Sequence, residues 1–80
     1  MEIFPNPNSG NAQIKLSVVE DHYTLKVYSI LGAEVKHIFS RKMAAGDHVF
    51  NLDLHDFPNA QYILRIAGSQ YSLTKRFVKI

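Results

Sequence analysis

The stretch Ala12-Gln13-Ile14-Lys15-Leu16-Ser17-Val18 alternates apolar and polar residues at every step. Successive side chains of a strand point to opposite faces, so Ala12, Ile14, Leu16 and Val18 share one side and Gln13, Lys15 and Ser17 the other. That is a half-buried strand of a sandwich or barrel. Working outward, Tyr23, Leu25 and Val27 repeat the alternation against Thr24 and Lys26 and run on into Tyr28. His48, Phe50, Leu52 and Leu54 do the same against Asp47, Asn51 and Asp53, and Tyr62, Leu64 and Ile66 oppose Gln61 and Arg65.

Two segments are less regular. In Glu34 to Phe39, Val35, His37 and Phe39 share one parity while Ile38 sits with Glu34 and Lys36. A short edge strand fits, because charged residues there discourage pairing with other sheets. In the last run, Tyr71 and Leu73 share a parity with Lys75, whereas Val78 and Ile80 take the other. This change of phase predicts a bulge, or a strand that switches sheets, near Lys75. Arg41 to Ala45 has room for one helical turn at most.

Turn residues punctuate the strands at Pro5-Asn6-Pro7-Asn8-Ser9-Gly10, Gly32, Ala45-Gly46-Asp47, Pro58-Asn59 and Gly68-Ser69. Pro5 and Pro7 end a short first strand, Ile3-Phe4, and bias the chain around them toward extended forms. Gly32 and Gly46 read as turn-formers whose loss disturbs the fold first. About seven short strands and no helical stripe predict an all-β chain, an Ig-like antiparallel sandwich, with an OB-like or SH3-like barrel as the structural alternative.

Eighty residues allow a single domain, and without cysteine the fold rests on burial of its 46% apolar residues. A net charge of +2 gives no argument for nucleic acid. No run reaches the roughly 18 apolar residues of a spanning helix. Met1-Glu2-Ile3-Phe4-Pro5 carries no secretory signal: taken as a complete product the chain would be cytosolic, and an abrupt start before a Pro-rich turn reads equally well as that of a domain cut from a longer chain.

Catalytic constellations are thin. His22, His37, His48 and His55 are scattered without i,i+4 spacing and read as surface or rim residues, with His48 partly buried at a strand's start. Asn51, Asp53 and Asp56 offer oxygen ligands, but the glycine and distant glutamate of a calcium loop are missing, and solvated turn residues explain them better. No cofactor motif and no nucleophile elbow occurs. Lys75, Arg76 and Lys79, with Tyr71 and Phe77, make a basic C-terminal strand whose aromatics belong to the core rather than to a nucleic-acid platform.

Read in order, the turns add more. Phe4-Pro5-Asn6-Pro7, Gly10 to Leu16 and Leu25 to Val35 resemble the opening of the type A C-terminal sorting domains of the type IX secretion system. Ala45 to Asp53, then Tyr62 to Ile66 and Ser72 to Ile80, are similar to that family's later strands, and together they span essentially the whole chain. The family usually has glycine before the sixth strand, where Ala60 stands here. Either the turn differs or Asn59 takes the left-handed conformation.

The resemblance implies no enzyme, but a sandwich excised from a larger secreted protein whose cargo lies on its N-terminal side. It implies transit through the periplasm, export to the outer membrane surface by the type IX translocon, and removal by a sortase-like cysteine protease. The motif and turn positions it covers are Pro5, Asn6, Pro7, Gly32, Gly46 and Tyr62; on physical grounds the last strand, through Lys75, Arg76, Val78, Lys79 and Ile80, is the expected contact with the translocon, the alternative being that its cations keep that strand soluble. Exposed edges would also admit a homodimer by sheet extension. The alternative is an Ig-like or fibronectin-like accessory module binding carbohydrate or protein, for which Tyr28 is the aromatic whose parity suggests exposure.

Overall fold

A computed structural model of the chain describes residues 1–4 and 10–80. Pro5, Asn6 and Pro7 lie outside the described residues. The seven strands are β1 (Glu2–Phe4), β2 (Asn11–Val18), β3 (Asp21–Ser29), β4 (Glu34–Met43), β5 (Gly46–Asp53), β6 (Ala60–Ala67) and β7 (Ser72–Lys79). They form two antiparallel sheets, one ordered β1-β2-β5 and the other β4-β3-β6-β7. This is the all-β sandwich that the alternation predicts, with β4 assigned to the sheet of β3.

The alternating residues meet between the sheets. Ile14 from β2, Leu25 and Val27 from β3, Leu64 and Ile66 from β6, and Phe77 from β7 are fully buried, with Leu54 beside them. Removing each such side chain from water contributes about 1.5–3 kcal/mol. The rings Phe57, Tyr62 and Phe77 pack in series, the first pair edge-on and the second stacked. On the opposite side, Phe39 of β4 meets Phe50 of β5 edge-on at 5.4 Å, and Arg41 lies over Phe39.

Two irregularities fall where the sequence did not place them. β7 pairs with β6 without a break, from Ala67↔Ser72 to Ala60↔Lys79, so there is no bulge near Lys75. Lys75 and Lys79 keep the inward parity of Phe77 because the strand is an edge: there Lys75 reaches water past its neighbours, while Lys79 is buried with a hydrogen-bond partner in Asn59. The register shifts lie in the β3–β4 pair instead, between Leu25 and Lys26 and between Val27 and Tyr28. There β4 has extra residues, Ile38 and Val35, which explains its mixed faces: the extra residue lets both Ile38 and Phe39 pack on the core. β4 is an edge strand, but a long one that absorbs Arg41 to Met43, because Met43 buries itself opposite Asp21.

The chain crosses between sheets three times, through Val19-Glu20, Ala44-Ala45 and residues 54–59. Each crossing is pinned alike: a ring on the strand that follows reaches back four residues to a backbone carbonyl. Tyr23 Oη donates to the Val19 carbonyl at 2.8 Å, His48 Nε2 to Ala44 at 2.7 Å, and Tyr62 Oη to Pro58. This gives His48, half-buried as expected, a structural task.

No residue other than glycine has positive φ among those described. Asn59 therefore does not take the left-handed conformation, and Ala60 opens β6. Gly32 (φ 94°) closes the β3–β4 hairpin, donating to the Ser29 carbonyl at 2.9 Å, and Gly46 (φ 121°) opens β5. A Cβ on Gly32 would meet nothing within 4 Å. Gly32→Ala should therefore cost only its backbone conformation, about 1–2 kcal/mol, and Gly32→Asn less, as urea unfolding would show.

Candidate recognition site

Among the described strands β7 is the last of its sheet, and Arg76 and Val78 on it are already engaged in interactions. The site residues expected from sequence fall on different sides of it. Arg76 points to the outer face, across from Ile63 of β6, and Val78 does the same across from Gln61. Ile80 follows them, 59% exposed. Lys75 shares the inward parity of Phe77 yet is exposed at the edge, whereas Lys79 is buried and its Nζ donates to Asn59 Oδ1 at 3.4 Å. Lys79 thus ties the end of β7 to the turn before β6, and the three cations form no single patch.

Of the other positions the resemblance marks, Tyr62 is a core residue that pins the β5–β6 crossing, and Gly32 and Gly46 are turn residues. Tyr28 faces outward but is only half-buried, in a row with Glu34 and Ile63. The more exposed aromatic is Phe4, which with Asn11, Ala12, Gln13 and Asn51 borders a shallow hollow of about 480 Å³ on the outer face of the three-stranded sheet. Asp53 accepts hydrogen bonds from the His55 backbone N–H and from His55 Nδ1, which hold its carboxyl below the usual range. Among the described residues no group of three or more His, Asp or Glu is arranged to hold a metal.

A polar network fastens β3 to the β6–β7 turn. Asp21 accepts from Ser69 Oγ at 2.6 Å, the Ser69 N–H at 2.9 Å and the His22 N–H at 2.7 Å, and the Ser69 hydroxyl leads in lowering its carboxyl below 3.8. Beside it, Tyr23 is fully buried and its hydroxyl contacts that of Tyr71 at 3.3 Å. Burial first, then the Tyr71 hydroxyl, pushes the Tyr23 phenol from 10.0 up to about 12. A raised folded value means that the stability linked to this proton is complete below pH 10.0 and is lost as pH climbs through 12. Tyr23→Phe is expected to be less stable at neutral pH, having lost its bond to Val19, yet to show a flatter alkaline limb in a pH series of thermal melts.

Sequence reasoning missed a second group. On the outer face of the four-stranded sheet, His37, Lys26 and Arg65 stand directly side by side across β4, β3 and β6. They are far apart along the chain, and only the strand register brings them together.

Over residues 2–80 the chain matches the family described as secretion system C-terminal sorting domain. No curated protein and no solved structure matches it. The expected all-β sandwich of seven strands and a family match over nearly its full length agree. The chain belongs to the family of type IX secretion system C-terminal sorting domains, a family of export signals and not of catalysts.

Proposed function

We propose that the chain is the folded, removable address of a larger secreted protein, read by the type IX translocon at the outward side of β7. Its cargo lies on the N-terminal side, crosses the periplasm and leaves through the outer membrane, after which a sortase-like cysteine protease detaches the domain and leaves the cargo at the surface. The observation that carries this reading is the match over residues 2–80 to a sorting-domain family, in a fold that sets β7 at the border of the four-stranded sheet. A folded strand presents a preorganised row of side chains, so recognition pays little ordering entropy. Lys75, Arg76, Val78 and Ile80 supply the contacts along that strand, and Lys79 holds its end in place.

The test is a fusion of residues 1–80 to a periplasmically exported reporter in a host with type IX secretion. Surface delivery is expected; a folded fusion that stays in the periplasm overturns the proposal. Arg76→Glu combined with Ile80→Asp leaves the buried residues of β7 untouched and is expected to lower delivery about tenfold, equivalent to about 1.4 kcal/mol of recognition. Unchanged delivery with a native circular dichroism spectrum would move the contact away from β7.

A further inference from the structure

Within the row His37–Lys26–Arg65 the pair Lys26–Arg65 is unusual on energetic grounds. Like charges directly opposite on neighbouring strands destabilise a sheet. The neighbouring strands are only about 4.8 Å apart. Lys26 has one acid, Glu34, whose Oε1 lies 2.8 Å from its Nζ. Among the described residues no salt bridge engages Arg65. The sheet's outer face also carries Lys42 and Arg76, while Glu2, Asp47 and Asp53 outnumber the single cation Lys15 on the outer face of the other sheet, so the net charge of +2 conceals a basic side and an acidic side.

The crowding coincides with a hollow. Thr24, Lys26, Tyr28, Arg65 and Ala67 line a concavity of about 230 Å³. Its floor is low because Ala67, paired with Thr24, offers only a methyl group. Thr24 Oγ1 lies 3.0 Å from Ser40 Oγ, and when Ser40 donates, the Thr24 proton is left to face the hollow. An ammonium has three donors, so Glu34 leaves Lys26 two more.

We propose that this concavity binds a phosphate group, held between Lys26 and Arg65 with the Thr24 and Tyr28 hydroxyls as flanking donors. A guanidinium fork and an adjacent ammonium match the oxygens of phosphate, and the bound anion removes the repulsion between the strands. Glu34 sets the position of Lys26 and limits affinity for the anion. The site is independent of the β7 edge and of the route of export, and it goes beyond the sorting function.

The first measurement titrates the 80-residue chain with inorganic phosphate, chloride keeping the ionic strength constant, and follows amide and arginine NMR signals. Thr24, Lys26, Tyr28 and Arg65 are expected to move together on one saturable curve. Lys26→Gln and Arg65→Gln should each weaken binding about tenfold, and Glu34→Gln should strengthen it about threefold. Lys42→Gln, on the same face but paired with Glu20 outside the hollow, should leave it unchanged. Without phosphate, Arg65→Gln should melt about 2–4 °C higher than the parent, which also shows that it folds. A second arm offers phosphate on a surface, as vesicles of phosphatidylglycerol in phosphatidylcholine against phosphatidylcholine alone. Vesicle binding abolished by Arg65→Gln assigns the phosphate to a lipid headgroup; binding of free phosphate without vesicle binding assigns it to a soluble or polymer-borne ester. Identical phosphate titrations for the parent and Arg65→Gln, or shifts spread over all cations alike, overturn the site.

Discussion

Phe77→Ala is expected to remove about 3–5 kcal/mol of the chain's stability, the largest loss of any single substitution considered. A domain of 80 residues has a total stability of about 4–12 kcal/mol. Removing a buried phenylalanine ring costs about 3–5 kcal/mol, the lost transfer energy plus a cavity. Phe77 is fully buried, and its ring stacks on Tyr62 at 5.6 Å, which in turn meets Phe57 at 5.3 Å. Three elements share that column: β7, β6 and the β5–β6 crossing. A cavity in it cannot collapse by shifting one loop, because Tyr62 is held to the Pro58 carbonyl. Urea unfolding followed by circular dichroism measures the loss, and Phe77→Leu should retain most of the stability, at a cost below about 1.5 kcal/mol. A loss under about 1 kcal/mol for Phe77→Ala would show that the column is not what joins β7 to the core. The same variant should also lower surface delivery of a fusion, in proportion to the fraction of the domain left unfolded.

Gly68→Ala comes second, through overpacking. A Cβ there would lie 2.6 Å from Tyr23 Cε1, 2.9 Å from Cδ1 and 3.1 Å from Asp21 Oδ2. Relief requires one of these groups to yield, and neither is free to do so. The Tyr23 ring is fully buried with its hydroxyl bonded to Val19 and Tyr71, and the Asp21 carboxylate is gripped by Ser69 and His22. The cost is about 1–3 kcal/mol, seen as a melting temperature lowered by about 5 °C or more. It differs in kind from that at Gly32, where space is open and only the backbone objects. Asparagine should therefore partly rescue position 32 and worsen position 68. Equal tolerance of alanine and asparagine at Gly68 would mean that Tyr23 can move.

The sandwich could be read from the sequence wherever period two is unbroken. In β2 every inward residue is apolar and buried and every outward one is polar and exposed, so the strand and its faces follow directly. β4 resisted because its two register shifts add residues that break the period, and no local signal marks Ile38 or Val35 as the extra ones. β7 misled in the opposite sense. Its inward positions 75 and 79 are lysines, tolerated at an edge, and they imitate a change of phase that the intact β6–β7 register does not contain. The same ambiguity made Lys75, Arg76 and Lys79 look like one cationic patch, whereas alternation divides them and Lys79 turns inward to Asn59. The row of Lys26, His37 and Arg65 was invisible for a different reason. Charge clusters legible in a sequence are contiguous, and this one exists only through pairings between three strands.

The strand order also sets a timescale. The hairpins β1–β2, β3–β4 and β6–β7 close locally, but the pairings that unite them, Ile14 with Phe50 and Leu25 with Ile66, join residues far apart along the chain. Most of the structure is therefore of high contact order, the class of topology that folds in about milliseconds to seconds rather than microseconds. An export signal of this shape is not legible at the instant its residues emerge on the far side of a membrane. It becomes so after a delay, during which the hairpins exist without the joined sheet that gives β7 its edge. On the proposed route, that delay separates crossing the inner membrane as a thread from selection at the outer one as a solid.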